Sequence, residues 1–174
     1  MTFREGGSKK IPVSVYSDEF KLLIENTPKL NFKIAFLLGY GSGMRISEIV
    51  NLTKGEVNLK EKSILIRQGK GGKDRVVPLP KGFRDKYLDL IPLQVGIRTL
   101  QKAFKESCRR AGLLEKKPDL HFHSLRHGFG YRCISEGIPI HHLRTLMGHT
   151  NISTTNIYLE ANPVDALKSY EDLF

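Results

Sequence analysis

Most hydrophobic positions in this chain recur at helical spacing, and only a short central stretch alternates. The first regular segment begins near Ser17, which is a candidate N-cap, and ends before Pro28. Between them, Phe20, Leu23 and Ile24 fall on one face at i, i+3 and i+4 spacing. The pattern predicts a first amphipathic helix.

A second helix is predicted from Asn31 to about Tyr40, and it is apolar almost all round. Because it has so little polar surface, we expect it to run through the centre of the domain. Gly41 and Gly43 are predicted to break it, and a short helix is predicted over 44–51. The apolar residues of the second helix are Phe32, Ile34, Ala35, Phe36, Leu37 and Leu38.

The alternating stretch predicts three short antiparallel strands, over 56–58, 63–67 and 75–79, with a glycine-rich turn at 68–74 between the last two. The predicted fold class is therefore mainly α with a small three-stranded antiparallel β-sheet. Further helices are predicted over 81–90, 97–111, 123–135, 139–147, 153–160 and 163–172.

The composition indicates what kind of partner the chain binds. The 174 residues suffice for one domain with a core, and 28 Lys and Arg against 18 Asp and Glu give a net charge of +10. That balance favours a polyanionic partner such as nucleic acid, although a well-solvated basic surface would also explain it. Cys108 and Cys133 lie in predicted helices, which suggests a reducing cytoplasm, and we expect no membrane segment. Residues 1–10 are predicted to be a basic linker or arm.

Four separated motifs contain the candidate chemistry. Arg45 follows a glycine break at the start of a helix, where its guanidinium and free backbone N–H groups can face an anion; alternatively it is a surface arginine paired with Glu48. The motifs are Gly-Met-Arg-Ile-Ser-Glu (43–48), Gly-Lys-Gly-Gly-Lys-Asp-Arg (69–75), His-Ser-Leu-Arg-His (123–127) and Met-Gly-His-Thr-Asn-Ile-Ser-Thr-Thr-Asn-Ile-Tyr (147–158).

His123 and Arg126 are three residues apart, so they share a helix face and can reach one phosphate. We expect Arg126 to neutralise a phosphate oxygen, and His123 to supply a hydrogen bond or a proton near neutral pH, where imidazole titrates. His127 is more simply explained as a packing residue. His149 follows Gly148, the predicted glycine at the end of the 139–147 helix, so a turn positions it.

Together, in this order, the four motifs resemble those of the tyrosine recombinases, the phage integrase family, over residues 11–160. The resemblance implies a tyrosine recombinase catalytic-domain fold, in which Arg45 is the first catalytic arginine and His149 contacts the scissile phosphate. Lys70, in the glycine-rich turn, corresponds to the general acid for the leaving 5′-oxygen, with Lys73 as the alternative. Tyr158 is the nucleophile, although an isolated tyrosine would normally be a packing residue. Lys73 and Arg75 are then DNA-backbone contacts or solvated charges.

The resemblance also implies the reaction and the partners. The expected reaction is DNA strand cleavage and rejoining through a 3′-phosphotyrosyl link, with no metal, cofactor or ATP. We expect double-stranded DNA as the partner, a tetramer on DNA and a monomer when free, and a cytoplasmic, DNA-associated location. Residues 11–162 would form the catalytic domain. Residues 163–174 would form a C-terminal helix docked on a neighbouring protomer or in cis, and the family's N-terminal DNA-binding domain would be absent.

Three other functions are compatible with parts of the sequence. A non-catalytic DNA-binding module would explain the basic surface but not Tyr158 and His149. A type IB topoisomerase would share the chemistry, but the first and last motifs are more typical of recombinases. A histidine-rich metallonuclease would require carboxylates at ligand spacing, which are missing. The histidines are His121, His123, His127, His141, His142 and His149.

Overall fold

The computed structural model describes residues 12–67 and 74–148, and in them it is mainly helical with one small sheet. The helices are α1 (Ser17–Glu25), α2 (Leu30–Ser42), α3 (Ile46–Val50), α4 (Ile97–Arg110), α5 (Leu113–Lys116), α6 (His123–Ser135) and α7 (Ile140–Met147). The strands are β1 (Val57–Asn58), β2 (Ser63–Ile66) and β3 (Arg75–Pro78), and 3₁₀ helices span Lys54–Glu56 and Asp85–Leu90. The predicted fold class is confirmed.

Helix α2 is the centre of the core, as its apolar sequence predicts. Its Phe36 is fully buried and meets Phe104 of α4 at 5.6 Å and Phe122 at 5.8 Å between ring centroids, both edge to face. Burial of one such side chain contributes about 1.5–3 kcal/mol to the free energy of unfolding. Because α2 also packs along α6, the core holds the ends of these two helices in fixed positions.

The end of α2 differs from the prediction at one glycine. Gly43 adopts a left-handed φ of +66° and ends the helix, as expected. Gly41, however, stays helical, so the prediction that both glycines break the helix is wrong for Gly41. A Cβ at this position would lie 2.6 Å from Cβ of Pro80, so the glycine permits close approach of the segment after β3.

The sheet has the order β1-β2-β3 and is antiparallel throughout, as predicted. In its register Ile64 lies opposite Val77 and Ile66 lies opposite Arg75. The side chains of Ile64, Ile66 and Val77 are buried against the core, whereas Val76 is 54% exposed. This register places Arg75, with Val77, on the buried face of β3.

Two other predictions need correction, and one helix is additional to the predicted ones. The 81–90 helix is only a 3₁₀ helix from Asp85, because the chain leaves Pro80 through a turn that buries Phe83. Helix α1 is capped by Glu19, whose carboxylate accepts the backbone N–H of Tyr16 at 2.8 Å, and not by Ser17. Helix α5 was not predicted, because four residues are too few to show a period.

Residues 1–10 and the predicted helices over 153–160 and 163–172 lie outside the described residues. Within the described residues, no helix is both long and apolar enough to cross a membrane.

Candidate active site

Arg45 lies between the left-handed Gly43 and the first turn of α3. Its backbone N–H donates to Oε2 of Glu48 at 2.7 Å, and one terminal guanidinium nitrogen donates to Oε1 at 2.9 Å. The other terminal nitrogen points towards the end of α7, where it donates to the carbonyls of Met147 at 3.4 Å and Gly148 at 3.3 Å. Its own N–H is therefore bound by Glu48 and is not free for an anion.

Arg126 is almost fully buried, with 1% of its surface exposed. It extends from α6 and donates to the carbonyls of Gly43 and Met147. Arg45 donates to the same Met147 oxygen. Two guanidinium groups from distant motifs therefore converge on one acceptor at the C-terminal end of α7.

His123 begins α6, one turn before Arg126. Its pKa is lowered from 6.5 to about 4. Desolvation of the ring is the largest cause although the residue is exposed overall, and the positive charges of Arg126, His121 and Arg45 lower the pKa further. The expected titration near neutral pH is therefore wrong for the DNA-free chain, in which His123 is neutral at pH 7. Its ring lies 4.8 Å from that of His127, between centroids.

Arg75 is not a surface cation, and the predicted contact with the DNA backbone is wrong for it. Its side chain is 7% exposed, and its two terminal nitrogens donate to Oε1 and Oε2 of Glu48, each at 2.8 Å. Its Nε donates to the carbonyl of Leu146 at 2.9 Å. The physical reason is the sheet register, which turns Arg75 inward together with Val77.

Glu48 is the residue of this site that the sequence does not reveal beyond a surface pair with Arg45. Burial raises its pKa, but hydrogen bonds from Arg75 and from the backbone of Arg45, with their charges, outweigh burial and lower the pKa from 4.5. Removal of one partner from such a buried pair typically costs about 3–5 kcal/mol. No local sequence signal reveals this role, because the inward orientation of Arg75 depends on packing in the folded domain.

Four predicted site residues lie outside the described residues: Lys70, Lys73, His149 and Tyr158. Gly148 itself has a left-handed φ of +58° and ends α7, as predicted. Among the described residues, no group of three or more His, Cys, Asp or Glu side chains is arranged to hold a metal ion.

Comparisons with known proteins identify the family and the fold. The sequence profile of the phage integrase family matches residues 14–164. The tyrosine recombinase XerA of Pyrococcus horikoshii is 34% identical over 163 residues, which cover 86% of this chain and 57% of that protein.

Two solved structures share the fold, as the resemblance to tyrosine recombinase catalytic domains implied. A crystal structure of XerA recombinase has a TM-score of 0.75 at 25% identity, covering 94% of this chain and 66% of that one. The Tn1549 transposon integrase, in complex with a circular intermediate DNA, has a TM-score of 0.74 at 15% identity, covering 98% and 68%. The chain spans just under six tenths of the length of its curated relative, at 57%. From the family match over most of its length, we conclude that the chain belongs to the phage integrase family.

Proposed function

We propose that this chain is the catalytic domain of a site-specific DNA recombinase that cleaves and rejoins strands through a 3′-phosphotyrosyl intermediate. The observation that best supports this function is the convergence of Arg45 and Arg126 on the single carbonyl oxygen of Met147. Two fixed guanidinium groups around one oxygen form a preorganised site for an oxyanion. Membership of a family with named tyrosine recombinases supports the same reaction.

In the proposed complex the scissile phosphate would accept the hydrogen bonds that Arg45 and Arg126 donate to the Met147 carbonyl in this structure. A phosphate oxygen is charged and so is a stronger acceptor than a peptide carbonyl. Because Arg126 is 1% exposed, the C-terminal end of α7 has to move aside before a phosphate can contact it. DNA binding and completion of the active site would therefore be coupled at the Met147–Gly148 peptide.

The reaction is a transesterification at phosphorus. Oη of Tyr158 forms a bond to the scissile phosphorus while the bond from phosphorus to the 5′-oxygen breaks. His123, neutral at pH 7, accepts the phenolic proton, and Lys70 protonates the leaving 5′-oxygen. His149 contacts the phosphate. Attack by another strand's 5′-hydroxyl reverses the steps and releases Tyr158, so that no ATP is consumed.

Double-stranded DNA is the proposed partner, and the proposed location is with DNA in the cytoplasm. The net charge of +10 and the DNA complex of the structurally similar Tn1549 integrase support DNA as the partner. Lys73 remains a proposed contact to the DNA backbone, whereas Arg75 does not. We further propose a tetramer on DNA, in which the apolar residues of the segment 163–174 dock on a neighbouring protomer, and a monomer without DNA.

A trapped covalent complex tests the reaction. The chain is incubated in EDTA with a DNA site nicked so that cleavage cannot be reversed, and then run on a denaturing gel. We expect a protein–DNA band for the wild type, and none for Tyr158→Phe, because only the hydroxyl can attack. Tyr131→Phe, which alters a tyrosine of α6 outside the site, is the matched control and is expected to give the band.

Three results would count against this function as proposed. A band that survives Tyr158→Phe would assign the nucleophile to another residue. A band that forms only with added Mg²⁺ would show that the arginine and lysine cations are not sufficient. A chain that binds DNA without ever forming the band would instead fit a non-catalytic DNA-binding module.

A further inference from the structure

Arg75 occupies a position that joins three parts of the molecule. It is the first residue of β3, and its partner Ile66 is the last residue of β2, so the pair closes the base of the hairpin formed by β2 and β3. Its guanidinium binds Glu48 of α3, and its Nε binds the Leu146 carbonyl of α7. Every nitrogen of the guanidinium therefore has an acceptor in a neighbouring element.

The guanidinium also fills the space next to the end of α7. A Cβ added at Gly148 would lie 2.9 Å from Cδ of Arg75 and 3.2 Å from its Nε. The carbonyl of Gly148 is one of the two that accept a hydrogen bond from the second terminal nitrogen of Arg45. Arg75 therefore packs directly against the peptide segment towards which Arg45 points.

The carboxylate of Glu48 binds the guanidinium of Arg75 more extensively than that of Arg45. One carboxylate accepts two hydrogen bonds from the guanidinium of Arg75 and one from that of Arg45, all between 2.8 and 2.9 Å. Two positive charges thus face one negative charge in a nearly dry environment, since the side chains of Arg75 and Glu48 are 7% and 10% exposed. Without Arg75, the carboxylate would be left to neutralise Arg45 alone, at a distance where the local attraction is strong.

We propose that Arg75 is a positioning residue of the active site, which engages Glu48 so that Arg45 is held in place yet keeps its positive charge for a phosphate. This inference rests on the proposed function, because it assigns a phosphate to Arg45. Arg75 itself does not touch the phosphate. It acts through Glu48 and through the end of α7, and it links the geometry of the hairpin base to that of the phosphate site.

The test separates charge sharing from simple structural support. The variants are Arg75→Met, Glu48→Gln and the double substitution, all in the full chain. We expect Arg75→Met to slow formation of the trapped covalent DNA complex by about 10- to 100-fold, the range that misplacement of a catalytic group produces. In the double variant the neutral amide no longer neutralises Arg45, so most of the lost rate is expected to return.

Binding of inorganic phosphate gives a readout that does not depend on catalysis. The dissociation constant is measured from the NMR shift of the Arg45 Nε–H, identified by its loss in Arg45→Lys. We expect phosphate to bind about 10-fold more weakly to Arg75→Met than to the wild type, and Glu48→Gln in that background to restore binding. The control is the same set of substitutions in an exposed ion pair on α4, Arg110→Met and Glu106→Gln. We expect it to change neither the rate of covalent-complex formation nor the dissociation constant for phosphate.

Circular dichroism identifies a temperature at which every variant is folded, and all rates are compared there. If Arg75→Met does not fold, Arg75→Lys with and without Glu48→Gln makes the same comparison, because lysine keeps the charge but not the paired hydrogen bonds. A double variant as slow and as weakly binding as Arg75→Met would overturn charge sharing, and so would an Arg75→Met variant that equals the wild type.

Failure of the proposed function gives a different result. If the wild type forms no covalent DNA complex but Arg45 binds phosphate, the recombinase reaction is wrong, and the phosphate titration of the variants still decides the role of Arg75. If Arg45 of the wild type binds no phosphate, the inference about Arg75 falls, whatever the DNA reaction shows.

Discussion

Three arginines at the candidate site have the same functional group and three different roles. The side chain of Arg45 is 20% exposed and that of Arg75 is 7% exposed, while Arg126 as a residue is 1% exposed. All three are largely buried, so burial does not distinguish their roles. The kind of hydrogen-bond acceptor does. Arg75 is bound mainly by a carboxylate, whereas Arg126 and one end of Arg45 are bound by peptide carbonyls that a phosphate can replace.

The pKa of His123 is expected to respond to a bound phosphate. In the free chain it lies at about 4, because desolvation and the nearby arginine charges oppose protonation. A bound phosphate brings negative charge to the same place, so we expect the pKa to rise when phosphate or a DNA site binds. The measurement is an NMR titration of the imidazole, with and without ligand, assigned from the spectrum of His123→Gln.

The same shift predicts an acid sensitivity of the fold. Between about 4 and 6.5 the unfolded chain binds a proton at His123 that the folded chain does not, so this group lowers stability as the pH falls through that window. His123→Gln removes this contribution, and its stability is expected to depend less on pH there. A free-chain pKa near 6.5, with identical pH dependence in the two proteins, would contradict both expectations.

At the scale of elements, the end of α2 is the junction that places Arg45. Gly43 has a φ of +66°, and a Cβ there would lie 2.5 Å from Cδ1 of Phe129 in α6. The carbonyl of Gly43 also accepts from Arg126. A side chain at this glycine would therefore strain the backbone and displace α6 at the same point.

We predict that Gly43→Ala lowers the free energy of unfolding by more than Gly112→Ala. Both glycines have nearly the same left-handed φ, +66° and +68°, but nothing lies within 4 Å of a Cβ at Gly112. The left-handed backbone alone costs about 1–2 kcal/mol, and overpacking against Phe129 adds about 1–3 kcal/mol. Denaturant unfolding of both variants measures the difference, and equal losses would show that α6 accommodates the methyl group without cost.

At the scale of the whole molecule, a cavity of about 800 Å³ offers a surface for the proposed docking of residues 163–174. Its walls come mainly from α1, the end of α2, the segment after β3, and α6, and they combine apolar side chains with four basic residues and the acidic Glu136. The segment has an apolar stripe at helical spacing, Val164, Leu167, Tyr170 and Phe174, and its charged residues are Asp165, Glu171 and Asp172 with one lysine, Lys168. The basic residues of the cavity are Lys21, Lys62, Lys81 and Arg132.

Truncation after Asn162 is expected to reduce the DNA-bound assembly from a tetramer to smaller species, because the apolar and acidic segment is lost. Leu37→Glu, within the cavity, should have the same effect by repelling the acidic residues. Leu22→Glu changes an exposed residue of α1 that does not line the cavity, and is the control. Gel filtration with light scattering on a DNA site measures the stoichiometry. An unchanged tetramer in the truncated chain would exclude docking in trans.

Much of the fold was predictable because its signals are local. The period of apolar residues identified α1, α2, α4, α6 and α7, and the alternating stretch identified the sheet. Gly43 and Gly148 ended their helices because their left-handed backbone depends on the residue itself. The exceptions were short or irregular segments, such as α5 and the chain before Asp85, in which no period can develop.

The sequence by itself determined most of the elements, the basic character and the four ordered motifs that identify the family. The tertiary structure decided which residues meet. Arg75 and Glu48 are 27 residues apart and Arg126 and Gly43 are 83 apart, and no local pattern encodes such pairs. Alternation in β3 left both Val76 and Val77 as candidates for the core, and only packing against the rest of the domain turned Arg75 inward. The pKa of His123 was decided in the same way, because desolvation and neighbouring charge exist only in the folded chain.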